Sequence, residues 1–185
     1  MRNSKLIAFL MAMILCVLSV SAAFAKVPEL DENEGDALAK IVCNLLKGEG
    51  YKADLNEDIR SVDFRYGDKE YIISLTNIDG DQFGAEITPK GVVRYLTSYS
   101  SWGGEVQDTS KLDKKTRKKI EKKVESFLKK ANPSLLKKIG ELKVTEYTKD
   151  GKTAYVEIKD SNKKVRFTLK IKNNVKILTY SEIRK

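Results

Sequence analysis

The feature that most constrains this chain is an apolar pattern that occurs twice. Tyr71, Ile73 and Leu75 recur as Ala154, Val156 and Ile158. Phe83, Ala85 and Ile87 recur as Phe167, Leu169 and Ile171, and Val93, Tyr95 and Thr97 as Val175, Ile177 and Thr179, with offsets of 82 to 84 residues. Apolar side chains alternate within each set, as they must when one sheet face is buried and the other is wet. A helical stripe precedes each set. The first is Leu38, Ile41, Val42, Leu45 and Leu46, capped by Asp31 or Asn33 and ended by Gly48 or Gly50. The second is Ile120, Val124, Phe127, Leu128 and Ala131, started near Asp113 and stopped by Pro133, with one more short turn over 134–139.

Strands are expected at 59–65, 70–75, 83–87 and 92–97, and again at 142–147, 153–158, 165–171 and 175–180. Gly-, Asn- and Asp-rich turns separate them, among them Asn77–Asp81 and Lys172–Asn174. The expected fold is therefore α+β: a tandem duplication of a helix packed on an antiparallel three- or four-stranded meander sheet. The copies fall at 26–99 and 113–185, with a linker at 100–112. Two short elements alone are marginal, so the copies are expected to pack together or share a sheet.

Residues 1–25 read as a cleavable secretory signal. Arg2 and Lys5 precede an uncharged apolar run through Leu18, and Ala23-Phe24-Ala25 fits the small-residue cleavage pattern. The rival, an uncleaved anchor, has enough length, but Ser19, Ser21 and the small residues oppose it. Cys16 follows the bulky Met13-Ile14-Leu15, which is unlike a lipid-modified cysteine. The chain is expected outside the cytoplasm, secreted or in the cell envelope, with no stable membrane span after cleavage.

The remaining 160 residues are enough to bury a core without a disulfide, and Cys43 is their single cysteine. Cys43 sits among apolar helix residues and reads as a small buried side chain rather than a nucleophile. There is no histidine, which removes the commonest general base, the Ser-His and Cys-His pairings and the usual zinc ligands. No pair of carboxylates is singled out by spacing, so a non-enzyme without cofactor or metal is expected.

Charge is divided unevenly. Residues 26–110 carry 9 Lys+Arg against 17 Asp+Glu, and residues 111–185 carry 24 against 9. Either the halves attract each other, or the basic half meets an anionic partner. For an exported chain that partner is anionic cell-wall polymer or membrane surface, not nucleic acid. The densest run is Lys114, Lys115, Arg117, Lys118, Lys119, Lys122 and Lys123, on and around the wet face of the second helix. Glu121 and Glu125 offset part of it by i,i+4 pairing.

Tyr99 and Trp102 stand in the Ser- and Gly-rich junction between the copies. Trp102 suits either a partner-binding anchor or a seal over the junction. Asn77-Ile78-Asp79-Gly80-Asp81 gathers oxygen ligands, but its glycine comes too early for an EF-hand, and Asp-Gly between strands is a hairpin signal. The contact residues expected are thus Tyr99, Trp102, Lys114, Lys115, Lys118, Lys119, Lys122 and Lys123.

Three segments also carry a family likeness. They are Gly91-Val92-Val93-Arg94-Tyr95-Leu96-Thr97-Ser98-Tyr99 followed by Trp102, Val124-Glu125-Ser126-Phe127-Leu128, and Asn132-Pro133-Ser134-Leu135-Leu136. Helix, then meander, with a glycine turn before the last strand, resembles the PepSY and YcdB/YcdC-like domains of exported bacterial proteins, over most of Glu34 to Tyr180. The second copy departs from the pattern, because Lys172-Asn173-Asn174 lacks the glycine. The resemblance implies a non-enzymatic binding or inhibitory module with a protein partner, a peptidase among the candidates.

Overall fold

Nine strands form one antiparallel sheet in the order β1-β2-β3-β4-β9-β8-β7-β6-β5. The computed structural model describes residues 32–54, 59–65, 69–99 and 103–183. The signal-like segment 1–25, the candidate cap Asp31 and Trp102 lie outside the described residues. From Glu32 onward the chain is one compact unit. The elements run α1 (Glu32–Gly48), β1 (Ile59–Arg65), β2 (Glu70–Thr76), β3 (Gln82–Ile87), β4 (Val93–Ser98), β5 (Glu105–Val106), a 3₁₀ turn (Thr109–Lys111), α2 (Lys114–Ala131), α3 (Pro133–Leu136), β6 (Leu142–Asp150), β7 (Thr153–Asp160), β8 (Val165–Ile171) and β9 (Val175–Glu182).

The α+β class holds, but the sheet corrects the expectation of three or four strands. Strand β4 pairs with β9, so both meanders enter a single sheet, and β5, inside the stretch read as linker, adds an edge strand to β6. The reason is edge satisfaction: β4 and β9 each leave a row of backbone donors and acceptors that the other fills. The β4–β9 ladder is short, with partners Tyr95–Ser181, Leu96–Tyr180 and Thr97–Thr179. Beyond it, side chains replace the missing strand. The Ile177 N–H donates to Glu49 Oε2 at 3.0 Å, and the Tyr51 hydroxyl donates to Ser98 Oγ at 2.9 Å.

One sheet face carries the core. Ile73, Leu75, Phe83, Ala85, Ile87, Val93 and Leu96 are buried in the first meander, and Val156, Ile158, Phe167, Leu169, Ile177 and Tyr180 in the second. Leu38, Val42, Leu45 and Leu46 of α1 and Ile120, Val124, Phe127, Leu128 and Ala131 of α2 are buried as the spacing predicts. Phe127 stacks edge-on against Phe167 and Tyr180, with centroids 5.9 and 5.2 Å apart. Cys43 is buried in α1.

Local chemistry fixes the ends. Gly50, at φ +77°, closes α1 in a Schellman arrangement: its N–H bonds Lys47 O, and the Tyr51 N–H bonds Leu46 O, both at 3.0 Å. Asp113 caps α2 by accepting from Thr116 N at 2.8 Å. Asn77–Asp81 is the β2–β3 turn, held by the Asp81 N–H on Asn77 Oδ1 at 2.7 Å. At Gly91 (φ +78°) a Cβ would come within 2.8 Å of Ile41 Cδ1, so the helix packs directly on that turn. Strand β6 runs past its expected end because Gly151, at φ +55°, allows a two-residue turn that leaves Asp150 and Thr153 paired.

At the β7–β8 turn the buried Asp160 carboxylate accepts four backbone N–H groups, from Gly140, Asn162, Lys164 and Val165, at 2.6 to 3.1 Å. Burial alone would raise its pKa, but these donors hold the carboxyl below the ordinary aspartate value.

Candidate anion-binding face

Helix α2 separates its apolar and charged residues cleanly. At about 100° per residue, its lysines occupy roughly half the circumference, opposite the buried stripe. Lys114, Lys115, Lys118, Lys119 and Lys122 are all exposed. None of these five forms an ion pair among the described residues. Lys123 is different: its Nζ lies 3.0 Å from Glu49 Oε1, with side chains 24% and 5% exposed. Glu125 makes an i,i+4 pair, but with Lys129 at 2.6 Å, outside the dense run it was expected to offset; that contact holds its carboxyl below the usual glutamate pKa. Arg117 turns away from the face; its guanidinium donates to Leu112 O at 3.0 Å and Thr109 O at 2.6 Å.

The acidic half therefore takes up little of the basic helix. Its Glu49 engages Lys123, while the exposed lysines keep their charge facing solvent. Across the sheet junction, Arg94 of β4 pairs with Glu70 at 2.9 Å and with Glu182 at 3.6 Å. This brings two carboxylates together that spacing did not single out, and the single Arg94 guanidinium pairs with both of them.

A cleft of about 730 Å³ opens where α2 faces the C-terminal end of α1 and the β8–β9 turn. Lys119, Lys122, Lys123 and Ser126 line it from α2, Lys47, Glu49 and Gly50 from the other helix end, and Asn173, Asn174 and Lys176 from the turn. Lys176 Nζ sits 3.3 Å from the Tyr51 ring centroid and 3.4 Å from Gly50 O. Cations suit this place because the last carbonyls of α1 carry the negative end of its dipole. Burial lowers the Lys176 pKa; Asp81 and Glu49 oppose the shift, while Lys170 and Lys123 add to it.

The structure thus brings Lys119, Lys122 and Lys123 together with Lys47 and Lys176, which sequence reading missed. Those two are distant in sequence and carry no periodic signal; only the β4–β9 junction and the α1 terminus place them. Tyr99 is not part of this assembly. It is 66% exposed and lines a separate depression of about 320 Å³ with Tyr51, Asp81 and Ser98. Its hydroxyl lies over Gly84, where a Cβ would meet it at 2.8 Å. Among the described residues no group of acids and cysteines is arranged to hold a metal ion, and no helix is long and apolar enough to cross a membrane. Comparison of the chain with protein-family models, with curated proteins and with solved structures finds no match in any of the three.

Proposed function

We propose that this chain is an exported, non-catalytic binding protein that engages an anionic partner through the lysine face of α2. The observation that carries the reading is the row of exposed, unbridged lysines Lys114, Lys115, Lys118, Lys119 and Lys122 on a helix whose docking needs none of them. Five like charges on one surface repel, and a counter-charge from outside relieves that repulsion. Cell-wall polymer and membrane surface are the anionic partners open to an exported chain, and nucleic acid is not among them.

The finer fold reading, a PepSY-like duplication, is supported by the same helix-then-meander order in both halves and by the Gly91 turn under α1. A peptidase-directed inhibitory role follows from that likeness alone, and the exposed Tyr99 is the described residue that favours it.

Titration of the chain lacking residues 1–25 into long-chain inorganic polyphosphate and into phosphatidylglycerol vesicles, across a salt series, tests the main reading. Affinity is expected to fall at least tenfold between about 50 and 200 mM salt. Replacing the five exposed lysines with glutamine abolishes binding, and Trp102→Ala leaves it unchanged. Salt-tolerant binding, or binding that survives the five substitutions, rejects the lysine face and favours the inhibitory role.

A further inference from the structure

The lysine face of α2 does not end on open surface. Lys119 and Lys122 belong both to the exposed face, with Lys114, Lys115 and Lys118, and to the cleft, with Lys47 and Lys176 opposite. The cations form a track rather than a patch. From Lys114 to Ser126 the helix alone advances about 18 Å, and Lys47 and Lys176 continue the lining beyond it.

We infer that this track seats a linear, flexible polyanion, a single chain that lies along α2 and enters the cleft. The inference rests on the anionic partner proposed above and names its class. Shape favours a narrow chain over a flat bilayer: the outward lysines of α2 suit either, whereas Lys123, 24% exposed and bound to Glu49, and the part-exposed Lys176 line the cleft, within reach of a chain that enters it. Chemistry points the same way. The lining cations are lysines without an arginine, so they act as point charges and do not impose the two-pronged geometry that selects one phosphate ester. Ser126, Asn173 and Asn174 supply neutral hydrogen-bonding groups for the links between charges.

Two features that could oppose the chain are already neutralised. Glu49 lines the cleft, but its oxygens are taken by Lys123 Nζ and the Ile177 N–H, each at 3.0 Å. Tyr51, the ring beside the cleft, has Lys176 over its face at 3.3 Å, so it offers no platform for a stacked base. The track therefore suits a polymer that carries charge without bases.

The test uses the chain without residues 1–25 and three probes: long-chain inorganic polyphosphate, tripolyphosphate, and phosphatidylglycerol vesicles. Per phosphate, the long chain is expected to bind more than about tenfold tighter than tripolyphosphate. Lys47→Gln with Lys176→Gln lowers long-chain affinity about tenfold at about 50 mM salt and flattens the log–log salt slope by about 1.4. Ser126→Trp, which fills the cleft without altering charge, weakens the long chain similarly and leaves vesicle binding unchanged. If Lys176→Gln disturbs Tyr51 and the fold, Lys47→Gln and Ser126→Trp carry the test.

Cleft variants that bind polyphosphate like the wild type, while Lys115→Gln with Lys118→Gln weakens it, overturn the cleft and leave the lysine face standing. Tighter binding to vesicles than to polyphosphate replaces the polymer with a membrane surface. Indifference to every lysine substitution rejects both readings.

Discussion

In each half of the sheet a long helix comes before four antiparallel strands, yet the two helices present different faces to solvent. Helix α1 docks through Leu38, Val42, Leu45 and Leu46 and exposes a mixed face that includes Glu34, Lys40, Asn44 and Lys47. Helix α2 docks through Ile120, Val124, Phe127, Leu128 and Ala131 and exposes almost nothing but lysine and glutamate. Packing therefore does not account for the lysines, because α1 meets the same requirement without them. The excess charge is a property of the surface and not of the core.

The largest expected effect probes what the halves share. Phe127→Ala removes a ring seated on Phe167 and Tyr180 and is expected to cost about 3–5 kcal/mol in chemical denaturation. Leu45→Ala in α1 should fall in the range of about 2–5 kcal/mol. If one substitution is nearly neutral while the other unfolds the protein, the equivalence of the two docking stripes is broken.

Next comes the turn of the basic half. Asp160→Ala leaves four backbone donors short of their acceptor and is expected to cost about 3 kcal/mol. The effect depends on pH in a fixed direction. Because the folded carboxyl is held below its ordinary value, its contribution is complete above the unfolded aspartate pKa of about 3.9 and disappears as pH falls through the folded value. Acid titration of wild type against Asp160→Asn should show the two curves converging below about pH 4.

The link between halves ranks third. Glu49→Gln weakens the contact with Lys123 while keeping an acceptor for the Ile177 N–H, and a loss of about 1–2 kcal/mol is expected. Stability equal to wild type would mean that the Lys123–Glu49 ion pair adds nothing to the link between the halves. The smallest effect sharpens the contrast most: changing Lys114, Lys115, Lys118, Lys119 and Lys122 to glutamine should move stability by no more than about 1 kcal/mol, since exposed like charges add little to the fold.

Much of this architecture was legible in the sequence because it is periodic. The buried stripe of α2, its Asp113 cap, its stop before Pro133 and the β2–β3 turn at Gly80 all follow from local patterns. The junction was not legible. Strand β4 meets β9 through three residue pairs and then hands over to Glu49 and Tyr51, which stand after α1 in sequence and carry no strand pattern. Strand β5 is two residues long, too short for any alternation to show. Of the candidate site, the lysines of α2 could be read directly, whereas Lys47 and Lys176 join them only through that junction. The role of Asp160 is not legible in the sequence, because four converging donors are a property of folded backbone and not of composition.

Amide chemical shifts of the folded chain, followed while long-chain polyphosphate is added, test the central claim most directly. Movement is expected along residues 114–126 of α2 and at 172–176 of the β8–β9 turn, while residues 34–44 of α1 stay still. Shifts that settle instead on the helix-free face of the sheet, around Ser74, Glu86 and Arg166, or that move both helices alike, would contradict it.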